Sequence, residues 1–317
     1  MNTPDVSVIV VTFNDVGRVQ ACLGSVMEEC AGLRSEVIVV DNASTDGTPA
    51  CVSREYPGIR VIANSGNRGF AAANNQAIRE SLGEYLLLLN PDTVVHPGAI
   101  RGMLQFLRQH PDIWVAGCRL LSGDGTIQNS VGAFPSVLEG FLKASFLYLL
   151  LPECALISHG GVHRFDYTRS APVDWVMGAC FMVRREAFES LGTLDEQFFM
   201  YSEEVDFCRR VRNAGREVWY TPEGTVTHFW GGMNAVSGRT LLWLVASQML
   251  YLRKHCKGLD RWMISALKYT GLAARAFVYA CAGCVTFNRA HLSKARYAFS
   301  ALVFLLVSDP AEAWPVH

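Results

Sequence analysis

The sequence has no strong charge of either sign. Its 317 residues carry 28 Lys and Arg against 29 Asp and Glu, a formal charge of −1. That balance excludes a globally basic nucleic-acid binder. There is no GxxxxGK[S/T] and no GxGxxG, so neither a P-loop nor a dinucleotide-binding turn is supported. The chain opens Met1-Asn2-Thr3-Pro4-Asp5, with no basic segment running into an apolar one. No signal peptide is therefore expected, and the ten scattered cysteines read as free thiols in a reducing cytosol. Cys281 and Cys284 form a lone CxxC; without a second ligand pair at matching spacing, no zinc site is expected. Repeats and low-complexity tracts are absent. Charged residues make up only 18% and apolar or aromatic ones 50%. Such a chain can bury a sizeable core and is not disordered.

What is present in the first ninety residues is a clean alternation. Val6–Thr12, Val37–Asp41, Val61–Ala63 and Tyr85–Leu89 are apolar runs of strand length. The first is nearly continuous, as a strand buried on both faces would be. Between them, Val19, Cys22, Leu23, Val26 and Met27 mark one helical face, Thr48 can open a short helix, and Gly69–Ser81 reads as another helix. A β-α-β-α order argues for an α/β domain with a mostly parallel sheet covered by helices. Further on, Pro97–His110 reads as helix and Val115–Cys118 as strand. Residues 120–172 hold turns and the apolar stretch Phe141–Leu151. Trp175–Arg184 reads as one strand containing Gly178, which hints at a close backbone approach. Ser202–Ala214 is expected to be a helix with Ser202 as N-cap and Gly215 closing it. Val218–Tyr220 and Val226–Phe229 read as short strands.

The near-zero total hides an asymmetry. Residues 1–238 hold 18 basic and 26 acidic groups, whereas residues 239–317 hold 10 and 3. The C-terminal part is helical, apolar and basic. Ala266–Phe287 approaches the length of a membrane span but contains Lys268 and Arg275, and charge at that depth is costly. Amphipathic helices on an anionic lipid surface, or a helical subdomain packed on the core, fit better.

In open α/β sheets ligands bind beyond the carboxyl ends of the strands. Polar side chains stand at each such end: Thr12 and Asn14, Asp41 and Asn42, Asn64 and Asn67, Asn90 and Asp92. Any one of these is ordinarily a turn former or cap; four sets in register are not. Gly66-Asn67-Arg68-Gly69 offers backbone N–H groups and a cation to phosphate. Asp92, in a proline-stiffened loop, suits Mg²⁺ or Mn²⁺ shared with phosphate oxygens. Farther along, Glu203, Glu204 and Asp206 crowd one helical turn. The bland reading is complementation of the helix dipole, with Asp206 to Arg210 as a surface pair. Glu204, however, shares a stripe with Cys208 and Val211. It therefore points inward, as a general base would. His228 closes a later strand and is a candidate second metal ligand beside Asp92.

Taken together, Val8–Asn14, Val39–Gly47, Asn67–Ala71 with Asn74-Asn75, and Leu89–Asp92 resemble the family 2 inverting glycosyltransferases of the GT-A fold. Met177-Gly178-Ala179-Cys180 and Glu203–Asp206 followed by Ala214-Gly215 resemble the rhamnosyltransferase-like branch. The resemblance runs over about residues 5–232. It implies that Asp41 reads the nucleobase, with Thr12 and Asn14 lining the same pocket. Asn67 and Arg68 lie near the diphosphate, and Gly178 belongs to the nucleotide-sugar site. Asp92 takes the metal end of the family's DxD motif, with Asn90 replacing its first carboxylate. Glu204, or its neighbour Glu203, matches the base position, with Asp206 of the same acidic turn as a further catalytic candidate, and His228 matches a position where some relatives supply a metal ligand.

The expected organisation is a GT-A domain over residues 1–235, its donor half about 1–118 and its acceptor half about 119–235. A basic helical region, 236–317, follows. The expected activity is metal-dependent, inverting transfer of a sugar, first of all L-rhamnose, from a dTDP- or UDP-linked donor. The acceptor would be a glycan or lipid-linked glycan, at the inner face of the cell membrane and in the service of cell-surface polysaccharide synthesis. No nucleic-acid partner is expected; a homo-oligomer is open. Two rival classes are a nucleotidyltransferase and a non-catalytic sugar-nucleotide binder. The first would want a Gly-rich loop where this chain has Thr12-Phe13-Asn14-Asp15.

Overall fold

The computed structural model describes residues 3–147, 165–229, 238–287 and 289–314. Its first part follows the alternation: β1 (Val6–Thr12), α1 (Val16–Cys30), β2 (Ser35–Asp41), α2 (Thr48–Glu55), β3 (Arg60–Ala63), α3 (Phe70–Glu80) and β4 (Tyr85–Leu89). These strands run parallel in the order β3-β2-β1-β4. β1 and β4 are buried along their whole length, because side chains on both of their faces meet covering helices. On α1 the buried stripe is Val19, Cys22, Leu23, Val26 and Cys30, and Met27 faces outward.

β5 (Thr93–Val95), α4 (Ala99–Gln109) and β6 (Ile113–Leu121) come next, then β7 (Val131–Gly132), α5 (Val137–Ala144) and β8 (Ala171–Pro172). The apolar stretch beyond residue 147 lies outside the described residues. The strand expected over Trp175–Arg184 is two strands: β9 (Trp175–Val176) pairs with β7, and β10 (Cys180–Arg184) enters the main sheet. The split has a steric cause. A Cβ on Gly117 of β6 would lie 2.6 Å from Val176 Cβ, so Val176 sits on the face of β6 and not in the plane of the sheet. β10 runs antiparallel between β4 and β6. Its beginning therefore lies at the edge where the parallel strands end, and Gly178 lies just before it.

α6 (Arg185–Leu191), α7 (Glu203–Asn213) and β11 (Glu217–His228) complete the sheet, whose order is β3-β2-β1-β4-β10-β6-β11-β5 with β8 also on β11. β11 joins the two short strands expected there, and an irregularity between Thr221 and Thr225 marks the join. Ser202 does precede α7, but in the left-handed region and without a capping hydrogen bond from its side chain. Gly215 ends α7 with φ 74°, and Arg216 N–H closes back onto Val211 O at 3.1 Å.

The C-terminal region is α8 (Gly238–His255), α9 (Gly258–Thr286), α10 (Arg289–Val307) and a 3₁₀ turn at Pro310–Ala313. α8 packs on the sheet domain: Val245, Met249 and Leu252 share a core with Phe198. α9 and α10 form a hairpin that leaves Trp262, Phe277, Val285, Phe299 and Leu306 exposed. Lys268 of α9 is tied to Gln248 of α8 at 2.8 Å. Among the described residues, the helix long and apolar enough to cross a membrane is 290–307, not 266–287; its mean hydropathy is 1.2 and 22% of it is buried.

Candidate active site

The parallel strands deliver their polar ends to one edge. Thr12 and Asp41 are register partners across β1 and β2, and Thr12 Oγ1 donates to Asp41 Oδ1 at 2.9 Å. Ser44 donates to the same carboxylate through Oγ (2.6 Å) and backbone N–H (2.8 Å). The buried carboxylate is thus fixed in orientation, with lone pairs left for a ligand N–H. Asn14 is exposed, in the left-handed region at φ 56°. It ties the two loops together: its N–H donates to Ser44 Oγ at 2.8 Å and its Oδ1 accepts from Thr45 N–H at 2.8 Å. Asn67 Oδ1 accepts from Gly69 N–H at 3.0 Å. Arg68 is exposed and makes no ion pair among the described residues. Gly69 has φ 82°, and a Cβ there would lie 2.5 Å from Phe199 O. Only glycine fits this approach, which brings the Asn67-Arg68 loop against the segment leading to α7.

The second group gathers where β4, β5 and β11 meet. β11 pairs with β5 so that His228 stands opposite Thr93, and Phe229 N–H donates to Asp92 O at 2.9 Å. His228 Nε2 is consequently 3.4 Å from Asp92 Oδ1. The ring is buried, and its Nδ1 meets Gln128 Oε1 at 3.1 Å, so its plane is set from the far side. Burial pushes the Asp92 carboxyl up, but the bond and charge of His228 outweigh it and the net direction is down. Arg18 lies 4.0 Å from Asp92 Oδ2. Asn90 does not point a second carboxylate here; its N–H donates to Ala179 O at 3.0 Å and locks this loop to the Gly178-Ala179 seam.

The third group is the first turn of α7. Tyr201 and Ser202 both lie in the left-handed region, at φ 71° and 67°. For residues with side chains this costs roughly 1–2 kcal/mol each. Beyond them, Glu203 and Glu204 each have a buried Oε2 without a hydrogen-bond partner among the described residues. Burial first raises both carboxyls, and their mutual repulsion raises Glu203 further. Glu204 reaches about 7, while the backbone N–H groups around it, including that of Gly178, pull it down. Gly178 lies against Glu204, with its Cβ direction 3.7 Å from Glu204 Cβ. Asp206 is different. It does pair with Arg210, at 2.9 Å, but it is fully buried and not on the surface. Its other partners are Lys254 (2.7 Å) and His255 (2.6 Å) of α8. Burial pushes its carboxyl up, but the bonds from His255 and Lys254 and the charges of Arg210 and Lys254 outweigh it and hold it low. A carboxylate engaged in this way is suited to holding helices together and less suited to accepting a proton.

Sequence reasoning passed over Phe13, which is 47% exposed at the tip of β1 between Thr12 and Asn14, an aromatic face beside the Asp41 pocket. Its signal was an apolar residue placed after the strand. It also passed over Lys254 and His255, whose partners are about fifty residues away.

The site therefore joins a polar sheet edge, a carboxylate–imidazole pair and a glutamate with one buried oxygen left without a partner among the described residues. Residues 7–192 match the family model for glycosyl transferase family 2. The chain belongs to that family. This glycosyltransferase is similar to an N-acetylglucosaminyl-diphospho-decaprenol L-rhamnosyltransferase of Mycobacterium tuberculosis, at 32% identity over 204 residues. The aligned part covers 61% of this chain and 66% of that relative. A low-salt glycan biosynthesis hexosyltransferase of Haloferax volcanii is 32% identical over 66% of this chain and 62% of its own length. The rhamnosyltransferase WbbL of Escherichia coli K12 is 24% identical over 64% of this chain and 76% of its own. Among solved structures, the mannosyltransferase PcManGT of Pyrobaculum calidifontis, in complex with GDP-Man and Mn2+, superposes with TM-score 0.57 over 97% of this chain and 88% of its own, at 18% identity. GalNAc-T7, solved with UDP, GalNAc and Mn2+, gives 0.55 over 78% of this chain and 48% of its own, at 17% identity. The fold is GT-A, and the enzyme is similar to the rhamnosyltransferase-like branch.

Proposed function

We propose that the enzyme transfers a sugar, first of all L-rhamnose from dTDP-rhamnose, to a hydroxyl of a glycan or lipid-linked glycan, with inversion. The observation that carries this reading is the placement of the Glu204 carboxylate, whose Oε2 has no hydrogen-bond partner among the described residues, beside the Gly178-Ala179 seam, which is bonded to the loop bearing Asp92. The nucleobase lies between Asp41 and Phe13, with Thr12 and Asn14 shaping the pocket and Asn67 and Arg68 facing the diphosphate. Glu204 removes the proton from the acceptor hydroxyl. The acceptor oxygen then bonds to the anomeric carbon from the face opposite the leaving group, and the bond to the nucleoside diphosphate breaks. Asp92 and His228, one carboxylate and one imidazole 3.4 Å apart, are the residues that would hold a divalent cation here. Such an ion, Mg²⁺ or Mn²⁺, would neutralise charge developing on the leaving diphosphate. Residues 1–235 form the transferase domain in this reading, with donor and acceptor halves meeting near residue 118.

The acceptor reading draws on the surface of α9 and α10 and on the decaprenol-linked acceptor in the name of one relative. Exposed Trp262, Phe277, Phe299 and Leu306 share these helices with Arg261, Arg275, Lys294 and Arg296. A groove of about 560 Å³ between α5 and α9 is lined by Val137, Leu138, Phe141, Trp262, Met263 and Leu267. Apolar side chains rimmed by cations suit an anionic bilayer at the cytoplasmic face. Flotation with liposomes should carry the protein upward when they contain anionic lipid and not when they are neutral. Absence from both fractions would leave the hairpin as an oligomer interface.

The donor reading is tested by melting the protein with dTDP, UDP and GDP, each with and without Mn²⁺ or Mg²⁺. Nucleotide at 100 times its Kd adds about 2.7 kcal/mol to the folded state. A metal-dependent rise with one nucleotide is expected. No rise with any of them would remove the donor-site assignment.

A further inference from the structure

We propose that α8 braces the catalytic turn, and that Ser247 and His255 are positioning residues for Glu204. The inference rests on Glu204 being the base. Tyr201 and Ser202, which set where α7 starts, adopt positive φ although neither is glycine. A turn of that kind persists only when its surroundings over-determine it. On the donor side a backbone bond holds it, from Phe70 N–H to Phe199 O at 2.7 Å. Trp314, beyond the 3₁₀ turn, stacks on Phe199 with ring centroids 5.9 Å apart and donates to Gln197 O at 3.1 Å; the holds that flank the strained pair on both sides come from α8. Ser247, fully buried, donates Oγ–H to Met200 O at 2.7 Å, immediately before the strained pair. Trp243, one turn earlier on the same face, packs on Phe199 with ring centroids 5.2 Å apart. At the far end of α8, His255 and Lys254 meet Asp206 at 2.6 and 2.7 Å. Asp206 N–H in turn donates to Ser202 O at 2.8 Å. Lys254 also reaches Asp195 at 2.6 Å. The two ends of the strained turn are therefore fixed by one helix that touches neither of the glutamates through a hydrogen bond or ion pair among the described residues.

Geometry of this kind acts on the reaction through placement of the base and not through donor binding. Ser247→Ala and His255→Ala should each lower kcat by roughly 10–100-fold, with the donor KM and the nucleotide-induced rise in melting temperature unchanged. His255→Gln should recover most of the loss, since its amide nitrogen can donate to Asp206 as the imidazole Nε2 does. In a Glu204→Gln background the same substitutions should change the residual rate by less than about twofold, because residues acting as a unit are non-additive. Folded variants with wild-type kcat would overturn the brace. So would a loss of the same size in the Glu204→Gln background, or failure of His255→Gln to recover. If Glu204→Gln alone turned over at the wild-type rate, the base assignment would fail first, and that outcome is distinct from a dead Glu204→Gln beside an unaffected Ser247→Ala.

Discussion

Glu204→Gln should lower turnover by roughly 10²–10⁴-fold, the range for losing a positioned general base, while nucleotide still binds. The substitution keeps size and removes the proton acceptor. A carboxyl raised to about 7 by burial also gives the wild-type rate an acid limb near neutrality, and the residual rate of the variant should lack it. Stability should move the opposite way. In the unfolded chain this carboxyl ionises near 4.5, and in the folded enzyme near 7. Its stabilising contribution is complete below the unfolded value and is lost as pH rises through the folded one. At pH 8 the wild type therefore carries a buried charge that the variant lacks, a difference on the order of 3 kcal/mol. Glu204→Gln should melt higher than the wild type at pH 8 and close to it at pH 4. A variant with wild-type turnover would remove the base assignment. Equal melting at pH 8 would remove the raised carboxyl.

Asp92→Ala should abolish the metal-dependent part of nucleotide binding. His228 would remain, but an imidazole without its carboxylate is a poor site for a hard cation that prefers oxygen. With nucleotide at 100 times the wild-type Kd, a 100-fold loss of affinity reduces stabilisation from about 2.7 to about 0.4 kcal/mol. Without metal, wild type and variant should give the same small rise. If Asp92→Ala kept the full Mn²⁺-dependent rise, the ion would have to be held elsewhere.

The parallel half of the sheet was legible because its central strands β1 and β4 are buried on both faces and each helix shows one apolar stripe. The places of Asp41, Asp92 and Glu204 in the fold were legible for a related reason: each sits at the end of an element whose direction the pattern fixes. The path from Trp175 to Arg184 was not. Two strands in different sheets share one apolar run, and only the contact of Val176 with Gly117 says where the run breaks. Asp206 was misjudged as a surface partner of Arg210 because its burial depends on α8, about fifty residues on, and no local spacing reports such a partner. Ser202 looked like a cap by residue type, yet its backbone is set by tertiary contacts that override that preference.

The separation of charge along the chain has a consequence for how molecules meet one another. A total of −1, split between an acidic first part and a C-terminal part with 10 basic and 3 acidic groups, leaves little net repulsion between copies and a strong attraction between unlike ends. In dilute buffer near neutral pH such a distribution favours head-to-tail contacts between copies, and added salt, with a screening length near 8 Å at 0.15 M, weakens them. If the basic helices dock on an anionic surface as proposed, the same ions weaken that attraction too, and solubility and docking then trade against each other along one axis of ionic strength.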